Sequence, residues 1–215
     1  MNLQEVFSKL SSTDTEVLRI CDQNADTMLA HEKLRGERAE NKAQDVLKMC
    51  AAGATIIFGG LGFIYGRLIP SPSWAVLLPF LAAILFIVKS VWFNLMVFEP
   101  AKLYRATPDL LFDVQDKPPI EALRYLVGVK LWLFEINVPN NTQKLFHLDR
   151  AIRNFVAFIF TLLLGGVVII ALLKTGGSPR DYALYSVEAL TLVAVLLLDP
   201  VAERISKLWN SSKGN

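Results

Sequence analysis

The sequence predicts an all-α integral membrane protein with four transmembrane helices, arranged as two hairpins, and a small helical cytoplasmic layer. Three observations predict it. Of 215 residues, 53% are hydrophobic and the mean hydropathy is +0.40, whereas soluble domains reach roughly 45–50% apolar only with glycine counted. The apolar residues are gathered into four runs, 49–69, 74–98, 155–173 and 182–198, close to the about 20 helical residues that cross 30 Å of hydrocarbon. Lys and Arg divide unevenly about these runs, 18 on one side and 3 on the other, with Lys89 inside the second. Basic residues stay with the cytoplasm, so both termini and the middle segment are assigned to that side.

Taken in order, residues 1–48 form an N-terminal cytoplasmic helical segment, polar and without the short apolar stretch of a cleavable signal, so the first span is expected to act as its own insertion signal. Thr13 and Glu16 have the spacing of a capping box. Val17, Cys21, Ala25, Met28 and Leu29 then recur at helical spacing, and Gly36 is a weak point at about 1 kcal/mol against alanine. This segment has two readings: a stalk for oligomerisation or partner binding, or a solvated helix packed on the middle segment. Residues 49–98 form the first transmembrane hairpin. Residues 99–153 are a cytoplasmic linker with an amphipathic helix starting near Pro119, in which Ile120, Leu123, Val127, Leu131 and Phe134 share a face, although 129–138 also fits a strand pattern. Pro139-Asn140-Asn141 is expected to break this element, with a new helix starting at Asn141-Thr142-Gln143 and entering the third span. A segment of this size is small for an independent core and is expected to draw on the N-terminal helix. Residues 154–199 form the second transmembrane hairpin and 200–215 a cytoplasmic tail.

Several functional classes are excluded on composition. A net charge of +2 gives no field for direct nucleic-acid binding. Cys21 and Cys50 make no disulfide framework, and no metal-ligand cluster, phosphate loop or nucleophile elbow is present, so no cofactor and no enzymatic activity are expected. The residues that stand out are intramembrane. Lys89, Glu188 and Arg67 are candidates for a polar lining or gate, since ionisable groups at bilayer depth are costly. Lys89 also reads as a snorkelling side chain beside Trp92, and Glu188 also as a partner for Arg67. Gly62, Gly66, Gly165 and Gly166 are candidates for close helix packing, the first two at GxxxG spacing.

Two helix-entry motifs carry a family resemblance. Glu40-Asn41-Lys42-Ala43 leads a long helix into a glycine-containing span with a tight outer hairpin. Gln143-Lys144-Leu145 and Leu148-Asp149-Arg150-Ala151-Ile152 lead into another. Over residues 32–173 this layout resembles the SLATT and Pycsar type of bacterial membrane effector in nucleotide-signalling anti-phage systems. The resemblance implies an inner-membrane homo-oligomer whose cytoplasmic part senses a signal, a nucleotide or a cytosolic protein, and whose spans permeabilise the bilayer in antiviral defence. The other reading of the layout is a non-conducting scaffold or accessory subunit that docks a cytosolic partner.

Overall fold

The structure is a computed structural model, and it describes residues 3–11, 14–63, 74–98, 114–175, 187 and 191. Most of these are helical, in four elements: α1 (Leu3–Lys9), α2 (Thr15–Phe63), α3 (Trp74–Val97) and α4 (Pro119–Thr175). Three of them, α2, α3 and α4, are long and apolar enough to cross a membrane. The expected fourth span lies outside the described residues, Val187 and Thr191 apart.

Local chemistry sets the helix ends. Asp14 caps α2: its Oδ1 accepts from the Glu16 amide at 2.8 Å, and its carbonyl takes the first helical bond, from the Leu18 amide. A carboxylate there satisfies an orphan N–H and complements the positive helix end. The cap is therefore one residue later than the expected Thr13, which itself lies outside the described residues. The expected break at Pro139 is corrected. α4 runs through Pro139 without interruption, and residues 129–138 are helix rather than strand. A proline removes one helical hydrogen bond. Here the chain on either side is held by other contacts: Thr142 Oγ1 donates to the Val138 carbonyl at 2.8 Å, and Asn141 is anchored on α2. α3 likewise contains a proline, Pro79, in its second turn.

The chain divides into two compact units, and α2, α3 and α4 each contribute residues to both. The first unit comprises Met1–Asp45 and Phe93–Arg150. Its interior is built from Val6, Leu18, Ala25, Ala39, Ala43, Val97, Val127, Leu133 and Leu148. α1 closes it: the Phe7 ring stacks on Tyr125 at 5.3 Å and presses on Gly128, where a Cβ would collide with that ring. The N-terminal helices and the middle segment thus share one core. The buried line on α2 runs through Leu18 and Ala25, so Val17 and Met28, which recur with Ala25 at helical spacing, stand 44% and 38% exposed.

The second unit comprises Val46–Trp92 and Ala151–Asn215. Val46, Cys50 and Ile57 of α2, Phe80, Ala83, Phe86 and Ile87 of α3, and Phe158 and Ile169 of α4 form its core. Its outer face is apolar too: Ile56, Phe58, Leu85, Val88, Phe160, Leu163 and Val167 are all more than half exposed. A water-soluble bundle would carry a polar stripe there, so a helix group apolar on both faces needs an apolar solvent.

Candidate functional site

Polar chemistry in the first unit is concentrated where α2 meets the middle of α4. Gly36 permits the approach. A Cβ on it would lie 2.9 Å from Asn141 Oδ1, and in its absence Asn141 reaches α2. Asn141 Nδ2 donates to the Glu32 carbonyl at 2.8 Å and to Glu32 Oε2 at 3.0 Å. The other Glu32 oxygen accepts from Arg35 Nη1 at 3.2 Å. About one turn further along α4, Lys144 is paired with Glu40. These bonds fix the register of the two helices, because each buried polar group finds its partner at only one axial offset.

Beside this seam lies an open cleft of about 520 Å³ lined by His31, Glu32, Leu34, Arg35, Arg38, Ala39 and Lys42 of α2 and Leu145 and Leu148 of α4. Arg35, Arg38 and Lys42 are spaced by three and four residues, which puts them on one helix face. Glu32 is the single acid in the lining, and both its oxygens are already engaged. The floor is apolar, Ala39 and Leu148 being buried.

Two further polar groups brace the same unit. Lys130 Nζ bonds Asp22 Oδ1 at 2.7 Å and Asp26 Oδ2 at 2.8 Å. Burial alone would lower the Lys130 pKa, but the two carboxylates outweigh it and hold the ammonium above its ordinary range. The Arg150 guanidinium stacks over Phe146 at 4.4 Å and over Phe93 at 5.4 Å, while His147 stacks on Phe93 at 6.3 Å. His147 is therefore part of an aromatic stack, and among the described residues no group of His, Cys, Asp and Glu could hold a metal ion.

In the second unit threonine hydroxyls bond back to their own helix, Thr55 to Ala51 and Thr161 to Ala157, while Ser90 bonds between helices. Ser90 Oγ donates to the Ala151 carbonyl at 2.8 Å, and the Cys50 thiol donates to Ser90 Oγ at 3.5 Å, so α2, α3 and α4 are linked through one hydroxyl. Close packing is carried by Gly53, where a Cβ would fall 2.6 Å from the Phe158 ring. Of the glycines singled out in the sequence, Gly165 meets Pro79 at 3.0 Å from its Cβ position, whereas Gly62 and Gly166 face open space. Lys89 is exposed on α3. Glu188, Arg67 and Gly66 lie outside the described residues.

Sequence reasoning passed over the Arg35, Arg38 and Lys42 cluster and the Gly36–Asn141 contact. The spacing of the three cations was the available signal for the first. Only the pairing of α2 with α4 reveals the second. No protein-family model, curated protein or solved structure matches this chain.

Proposed function

We propose that the chain is a multi-pass membrane effector that senses a cytoplasmic signal in its charged unit and perturbs the bilayer with its apolar unit as a homo-oligomer, without catalysis of its own. The observation that carries this reading is that α2 and α4 each take part in both units. A ligand that prefers one arrangement of the charged ends biases the apolar ends of the same helices, because a helix transmits rotation and translation along its length. The layout resemblance to nucleotide-signalled bacterial effectors supports an inner-membrane location with cytoplasmic termini, and the basic asymmetry of the sequence supports the same orientation.

The test is induced expression in bacteria with a membrane-potential dye, alongside the protein's size in detergent. Depolarisation under an activating condition, together with a particle of several copies, is the expected result. Unchanged potential and growth under every activating condition, with a monomeric particle, overturns the effector reading and leaves the scaffold.

A further inference from the structure

We propose that the cleft beside Arg35, Arg38 and Lys42 is a binding site for a phosphate group carried by a small ligand. The lining presents three permanent cations against one acid, and that acid is consumed: Glu32 accepts from Arg35 and from Asn141. Arg35 is thereby held in place as well as partly neutralised. Arg38 and Lys42 differ from the paired cations around them. Lys33, Lys130 and Lys144 all have carboxylate partners, while among the described residues Arg38 and Lys42 have none. Two unpaired cations one turn apart, one of them a guanidinium, suit the several oxygens of a phosphate. Arg38 and Lys42 are exposed at the cleft, and the buried Ala39 and Leu148 give it an apolar floor for the organic part of such a ligand. The cavity, about 520 Å³, exceeds a bare phosphate and falls in the size class of sites for small organic ligands.

Two sources carry this chemistry. Lys42 stands seven residues before Met49, about 10 Å along the same helix from the start of the apolar run, within reach of phospholipid headgroups. A soluble phosphate ester is the other source. The inference rests on the effector reading for the role of the site, though not for the binding itself.

The full chain is purified into nanodiscs of phosphatidylcholine, and inorganic pyrophosphate is titrated while unfolding temperature and heat of binding are followed. A second set of nanodiscs contains phosphatidylglycerol and no pyrophosphate. Three proteins are compared: the unsubstituted chain, the double variant Arg38→Gln with Lys42→Gln, and Lys33→Gln, whose side chain is exposed and outside the cleft. Saturable binding of pyrophosphate that weakens about tenfold or more in the double variant and is retained in Lys33→Gln supports a soluble phosphate ligand. Stabilisation by phosphatidylglycerol alone, lost in the double variant, supports a headgroup. If neither probe binds, or the double variant binds as well as the unsubstituted chain, the proposal is overturned. Binding without any membrane leak leaves the site standing and removes only the effector role.

Discussion

At the residue scale the polar contacts of the first unit act as register pins, and Lys130 is the clearest of them. Its ammonium bridges Asp22 and Asp26, two carboxylates one turn apart on α2. Lys130 and Asp22 are each about three-quarters buried, while Asp26 is mostly exposed and contributes little. Lys130→Met is expected to cost about 1 kcal/mol at neutral pH, because it removes the pair and leaves two like charges facing each other. The raised pKa of Lys130 gives the sign of the pH dependence. A cation held above its ordinary value stabilises the fold fully below that value, about 10.5, and the contribution fades as pH rises through the folded-state value. Urea unfolding of both proteins in detergent should thus show a gap at neutral pH that narrows in strong alkali. A gap that stays constant through the alkaline range refutes the assignment. None of this was legible in the sequence, since Asp22 and Lys130 lie far apart in the chain and only the fold pairs them.

At the element scale α2 is held by a seam of small residues. Gly36, Ala39, Ala43, Val46, Cys50, Gly53 and Ile57 are buried at alternating spacings of three and four, the spacing that keeps one face toward neighbouring helices. The helical class and the apolar spans could be read from hydropathy, since burial in lipid leaves its mark on every residue of a run. Which glycines matter could not, because contact depends on the partner's side chain. Gly62, marked by its GxxxG spacing, faces open space, while Gly53, unmarked, receives Phe158. Pro139 was misread for a related reason: a breaker predicts a break only where nothing else holds the helix, and Asn141 and Thr142 do hold it. The seam makes a paired prediction. Gly53→Ala places a methyl against a buried ring and is expected to destabilise by about 1–3 kcal/mol, outweighing the helix propensity it adds. Gly59→Ala meets nothing within 4 Å and is expected to be neutral or to stabilise by up to about 1 kcal/mol. Thermal unfolding of the two variants in the same detergent decides it, and equal shifts in the same direction would count against the seam.

At the scale of the whole molecule the decisive property is which side of the bilayer each polar segment occupies. The described helices include three long and apolar enough to span, and an odd number of crossings would place the two termini on opposite sides. The basic asymmetry, 18 against 3, predicts an even number instead, and the sequence offers the apolar run at residues 182–198 as the fourth crossing to be tested. Native cysteine chemistry makes the test direct. Cys50 is buried and Cys21 is partly exposed in the charged unit, so with Cys50→Ser in place Cys21 reports the N-terminal side. Ser178→Cys in a cysteine-free background reports the 174–181 connector, and Ser212→Cys reports the tail. An impermeant maleimide applied to intact bacterial spheroplasts is expected to label Ser178→Cys alone. Cys21 and Ser212→Cys should react only after the membrane is opened. Labelling of Ser212→Cys from outside, with Cys21 protected, would mean three crossings. The tail would then carry Arg204, Lys207 and Lys213 on the side that the positive-inside rule disfavours.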